Sequence, residues 1–145
     1  ANAMDGVPGL TQKPIEPGAS FDYGLNCPDA GTFWYHPHKN SSEQVARGLH
    51  GILIVEEKNP PKVDQDLPLV LDDWRLDENG QIHLTSIGSI GERAHGGRFG
   101  STFTCNGFAD YHVPVKAGER VRFRFCNVAA DFAVSRKGSF VEQAC

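Results

Sequence analysis

The sequence predicts an all-β protein built from short strands, the pattern of a β-sandwich. Glycine and proline are abundant, Gly 16 and Pro 9 among 145 residues, which fits a turn-rich β fold. The apolar residues fall in short runs of strand length, closed by glycine, proline, asparagine or aspartate. No sequence repeat of about 20–50 residues is present, so a solenoid or propeller is not expected.

The elements follow in order from local chemistry. The stretch 5–19 contains Gly6, Pro8, Gly9, Pro14, Pro17 and Gly18, a density of breakers that only an irregular loop accepts. The stretch 20–26 alternates in part and predicts a strand, followed by a turn over 27–31. Thr32, Phe33, Trp34 and Tyr35 are β-branched or aromatic, a strong strand signal. The stretch 41–47 predicts one or two helical turns, capped by Ser41 or Ser42 and ended by Gly48. The continuous apolar run over 51–56 predicts a strand buried on both faces.

The stretch 58–66 is polar, carries Pro60 and Pro61 and holds no core material, so a domain boundary is placed there. Beyond it, a strand is predicted over 67–71. A turn over 77–80 leads a hairpin into 81–85, and a glycine-rich loop covers 88–100. A strand over 101–105 ends at the turn dipeptide Asn106-Gly107. The stretch 113–120 reads as a strand, a tight turn and a strand entry, and 121–125 alternates at period two.

Charge and composition exclude several functions. The net charge is −4 and no basic stripe is present, so nucleic acid is not an expected partner. Arg120, Arg122 and Arg124 alternate with Val121 and Phe123, which predicts the solvated face of a strand. No apolar stretch approaches about 18 residues, so no membrane span is expected. The opening Ala-Asn-Ala-Met reads as the interior of a longer protein, and no signal peptide is found. Cys27, Cys105, Cys126 and Cys145 form no CxxC pair. They read as buried small hydrophobes or as one disulfide of unassigned pairing.

The candidate chemistry sits in His36-Pro37-His38. On a strand, residues two apart point to the same face, so two imidazoles stand side by side. Pro37 removes a backbone donor and places the pair at a strand end or edge. Imidazole suits copper, zinc, iron or nickel, and two ligands complete a site for none of them. The bare pair is read equally well as two surface histidines. Its place after an aromatic strand, before a short helix and an apolar strand, favours a metal held at the end of a packed element.

The run 31–38, Gly-Thr-Phe-Trp-Tyr-His-Pro-His, with 44–49 and 51–56 after it, resembles the second copper-binding motif of multicopper oxidases, the family of laccases and bacterial cuprous oxidases. The run 4–12, with Pro14, Ile15, Pro17 and Gly18, is similar to the loop after that family's first His-X-His motif. Weaker likenesses over 69–74, Asn106-Gly107 and 118–124 resemble the opening of its second cupredoxin domain.

The resemblance implies a cupredoxin-like Greek-key β-sandwich, with the C-terminal half of one domain over 1–57 and a linker over 58–66. The N-terminal part of a second, incomplete domain would then cover 67–145. It also implies that His36 and His38 bind the type 3 coppers of a trinuclear cluster, one to each ion, and that Asp5 delivers protons. A turn-capping role for Asp5 is equally consistent with Gly6 after it. The implied reaction couples one-electron oxidation of a small reducing substrate to reduction of O2 to water. The family habit is periplasmic or secreted, and an oligomer is implied if the parent has two domains.

The sequence departs from the family in lacking the first His-X-His motif and any His-Cys-His motif, so the remaining cluster ligands are expected outside this chain. The chain alone is therefore expected to be inactive. The polar stretch 135–139 also stands where another strand is expected. Other readings are a copper-free scaffold or binding protein on the same fold, a copper nitrite reductase and a zinc hydrolase. Retention of both histidines counts against the first. The absence of a His-Cys pair counts against the second, and the absence of a general-base carboxylate in a metal motif against the third. His50, His83, His95 and His112 are assigned no role.

Overall fold

The computed structural model describes residues 4–83 and 100–129. Among them the order is β1 (Gly31–Tyr35), α1 (Ser41–Ala46), β2 (Gly51–Val55), β3 (Gln65–Trp74), β4 (Thr102–Cys105) and β5 (Val121–Asn127). The chain is all-β, as its turn-rich composition predicts, with one short helix among these elements. The strand expected over 20–26 is not formed. Those residues are exposed, and no strand among the described residues pairs with them.

β1 and β2 form an antiparallel pair in which Trp34 faces Ile52 and Tyr35 faces Gly51. Gly51 leaves room for the Tyr35 ring, which a Cβ at that position would overlap. β2 is half-buried rather than buried on both faces, because β1 is its one sheet neighbour among the described residues. The short α1 turns the chain between the two strands. Asn40, not Ser41 or Ser42, occupies its N-cap, in the left-handed region and with no side-chain cap bond. Its end does follow the sequence: Gly48 takes φ 85, its N–H donates to Val45 O at 2.8 Å, and the Leu49 N–H donates to Gln44 O at 3.0 Å. That paired bonding satisfies carbonyls the helix would otherwise leave open.

The second sheet has the order β4-β3-β5, antiparallel on one side and parallel on the other. Pro68 lies in this central strand, where a missing N–H normally costs a ladder bond. Here its side of β3 faces the region past the end of β4. Asn106 fills that region: its N–H donates to Val70 O, its Oδ1 accepts from the Val70 N–H, and its Nδ2 donates to Pro68 O. Asn106 (φ 51) and Gly107 (φ 82) form the tight turn that the dipeptide predicts. The strand expected at the start of the stretch 113–120 is absent, while the turn within it closes by a bond from Glu119 N to Lys116 O at 3.1 Å. Of the hairpin expected over 81–85, a bridge from Leu76 to Ile82 is present. Residues 84–85, the glycine-rich stretch up to 99 and the polar stretch 135–139 lie outside the described residues.

The arginines of β5 overturn the expectation of a solvated face. Arg124 is 6% exposed, whereas Phe125 beside it is 42% exposed. Arg124 donates from Nε and Nη2 to the two Asp66 oxygens at 2.7 and 2.8 Å, and from Nη1 to Thr32 Oγ1 at 3.2 Å. Arg122 holds Glu57 through both terminal nitrogens. These bonds tie β5 to β1, to the residue group after β2 and to β3. Cys126 and Val128, on the same face as the arginines, are buried. The face bearing arginine therefore points inward, because Thr32 of β1, Glu57 after β2 and Asp66 of β3 meet it with acceptors.

The Arg122 hydrogen bonds hold the Glu57 carboxyl at about 2, against an ordinary value of 4.5. A depressed carboxylate adds stability above its unfolded value and loses it as pH falls through the folded one. Stability should therefore decline between pH 4.5 and about 2. Glu57→Gln should flatten that decline in urea unfolding midpoints. An unchanged slope would assign the acid sensitivity to other carboxylates.

Candidate metal centre

β1 ends at Tyr35, and the chain continues through His36 and Pro37 to a bend at His38. The period of two places Thr32, Trp34, His36 and His38 on one face. Their rings form a ladder: Trp34 and His36 stack with centroids 4.2 Å apart and planes at 21°, and His36 and His38 follow at 4.8 Å and 25°. Thr32, at the inner end, is held by Arg124. Tyr35 turns to the opposite face, over Gly51. His36 is half-buried and His38 is exposed.

His36 Nδ1 lies 3.2 Å from the Pro37 carbonyl oxygen. A carbonyl only accepts, so this nitrogen carries the proton and Nε2 of the neutral ring keeps its lone pair. The arrangement fits copper in donor chemistry, since neutral imidazole nitrogens bind it well. It supplies two donors and completes no site by itself. Among the described residues no group of three or more His, Cys, Asp or Glu could hold a metal ion.

Asp5 is exposed, and no hydrogen bond or ion pair joins it to either histidine among the described residues. The turn that follows it is closed by Val7 and Thr11, through Val7 N to Thr11 Oγ1 at 2.9 Å and Thr11 N to Val7 O at 3.0 Å. Gly6, at φ 68, lies under the Tyr23 ring.

His50 has a closer partner than the sequence suggests. Its Nε2 lies 3.4 Å from Asp72 Oδ2, and the two side chains are 11% and 8% exposed. Burial pushes the Asp72 carboxyl above its usual range, against the opposing bonds from the Asp73 N–H and His50. The apolar surroundings of His50 were visible in the sequence, but a contact spanning 22 residues was not. His112 is exposed and paired with Asp110 at 3.0 Å. His83 donates its N–H to Arg75 O at 2.9 Å, and His95 lies outside the described residues. Cys27 and Cys105 are free thiols, with Cys27 exposed, and Cys126 is buried. Burial raises the Cys105 thiol. Cys145 lies outside the described residues.

Comparison with known proteins agrees with this picture. The family model described as multicopper oxidase matches residues 1–60. Laccase-2 of Cryptococcus neoformans var. grubii is 36% identical over 152 residues, covering 88% of this chain and 25% of that protein. The crystal structure of a multi-copper oxidase from Pseudomonas thermotolerans superposes with a TM-score of 0.77 at 41% identity, over 88% of this chain and 31% of the other. That of Lac15 from a marine microbial metagenome gives 0.65 at 49% identity, over 88% and 30%. The fold is thus that of a cupredoxin-like all-β protein. The chain belongs to the multicopper oxidase family, whose cofactor is copper. It spans about a quarter of the length of the first curated relatives it matches.

Proposed function

We propose that this chain works as part of a copper-dependent oxidase that couples one-electron oxidation of a small reducing substrate to four-electron reduction of O2 to water. His36 and His38 are the ligands it contributes to a trinuclear copper cluster, at the type 3 pair, one to each ion. The remaining ligands lie outside this chain, so the chain alone is inactive as an oxidase. The observation that carries this reading is the His36-His38 pair itself, stacked 4.8 Å apart at a strand end with His36 Nε2 left as a donor.

Copper, when bound, supplies the redox capacity and open coordination that O2 reduction needs. The chain's own residues supply position. Pairing with β2 fixes the backbone of β1 just before the histidines. The Pro37 carbonyl sets which nitrogen of His36 is the donor. Asp5 is proposed to deliver protons, a role its exposure to water supports. The proposed division is a first cupredoxin domain ending at 57, a linker over 58–66 and a second domain from 67. A periplasmic or secreted location goes with this reading, as does an oligomer if the parent has two domains.

X-ray absorption of the copper-loaded chain tests the ligand assignment. Nitrogen scattering typical of imidazole is expected, and the double variant His36→Ala, His38→Ala should lose it. Nitrogen scattering that survives both substitutions would overturn the assignment.

A further inference from the structure

The ring ladder does not begin at the histidines. Trp34 stacks on His36 at 4.2 Å with an interplanar angle of 21°, closer and more parallel than His36 on His38. Resting on the reading of His36 as a copper ligand, we propose that Trp34 is a positioning residue that fixes the plane of the His36 ring and, through it, which nitrogen faces the metal.

The physical argument starts from the imidazole. A histidine side chain turns about two bonds, and its last torsion is broad. One hydrogen bond of 3.2 Å from Nδ1 to Pro37 O, the next residue in the chain, is a weak restraint on that torsion. A flat ring lying parallel to the imidazole restrains it further, because rotation would drive the imidazole edge into the indole. With the plane held, Nδ1 stays at the carbonyl and Nε2 keeps its lone pair in the fixed plane of the ring. Without the indole the ring can turn, the hydrogen bond opens, and the free-solution preference for a proton on Nε2 returns.

Trp34 is itself anchored. Its strand pairs it with Ile52, and Thr32 on the same face is bonded to the buried Arg124. The indole therefore sits on a strand tied to the second sheet, although it is 41% exposed. Trp34→Phe keeps a stacking ring, and comparing it with Trp34→Leu separates an effect on His36 from an effect on packing.

The test uses the full chain in four forms: the parent, Trp34→Phe, Trp34→Leu and Trp34→Ala. Long-range 1H–15N spectra of the metal-free chain report the tautomer of His36. The parent and Trp34→Phe should show the proton on Nδ1, and Trp34→Ala and Trp34→Leu should shift it toward Nε2. Zn(II), redox-silent and diamagnetic, is then titrated, with the double variant His36→Ala, His38→Ala subtracting binding by cysteines. Trp34→Ala should bind about tenfold more weakly at the histidine pair, the usual size for losing a group that orients a ligand. Trp34→Phe should stay within about threefold of the parent, because a phenyl ring also stacks.

A tautomer unchanged in Trp34→Ala would overturn the proposal, as would Trp34→Leu matching Trp34→Phe, which would show bulk acting in place of stacking. Zn(II) binding equal in the parent and the double-histidine variant would overturn the ligand reading instead. The metal-free tautomer still judges Trp34 in that case.

Discussion

Asp66→Ala should cost about 3 kcal/mol of folding stability, the size expected when a buried charged donor loses its carboxylate partner. The Arg124 side chain is 5% exposed and Asp66 is 36% exposed, so the loss falls on the guanidinium. It would keep Thr32 Oγ1 at 3.2 Å and a Glu57 oxygen at 3.7 Å, and lose both of its short bonds to a carboxylate. Arginine cannot escape by giving up its proton. The Asp66 hydrogen bonds raise it still further above its ordinary value.

The double variant Asp66→Ala, Arg124→Met should recover much of the loss, because replacing both partners by apolar groups leaves no charge stranded. Urea midpoints of the four proteins give the coupling between the pair directly. A double variant as unstable as the sum of the singles would show that the two residues act independently.

Gly100→Ala should cost about 2–3 kcal/mol through overpacking. A Cβ at that position would stand 2.7 Å from the Trp74 nitrogen, 2.9 Å from the Asp73 carbonyl carbon and 2.6 Å from Asp73 Oδ2. Two of these are backbone atoms, and they belong to a strand that cannot easily yield. Asp73 pairs with Phe103 and Trp74 with Thr102 in the β3–β4 ladder. The Ser101 N–H donates to Trp74 O at 3.0 Å. Asp73 is 2% exposed and its Oδ2 accepts from the Gly100 N–H, so the same change also strains a buried hydrogen bond. Thermal unfolding checks the figure. A variant that melts within about two degrees of the parent would mean that the strand gives way at little cost.

Local chemistry made several elements legible. Thr32, Phe33, Trp34 and Tyr35 could hardly be other than a strand, and β1 covers them. Gly48 ends α1 because only a residue free to take positive φ fits there, and Asn106-Gly107 turns for the same reason. The strand expected over 20–26 failed because alternation is a weak signal without a partner to pair with. The N-cap moved to Asn40, a residue as good at capping as serine, and both serines lie within the first turn.

The sequence by itself determined the all-β class, the order of the main strands and the His-Pro-His pair on one face, since period two and turn chemistry are properties of neighbours along the chain. Tertiary structure decided which face of β5 points inward. The alternation of Arg122 and Arg124 with Phe123 and Phe125 was plain, yet the arginines turned inward and Phe125 remained 42% exposed. Only the arrival of Thr32, Glu57 and Asp66 from distant parts of the chain supplied the acceptors that make a buried guanidinium tolerable. The same holds for His50 and Asp72, whose contact joins the residue just before β2 to β3 across 22 positions and owes nothing to the neighbours of either residue in sequence.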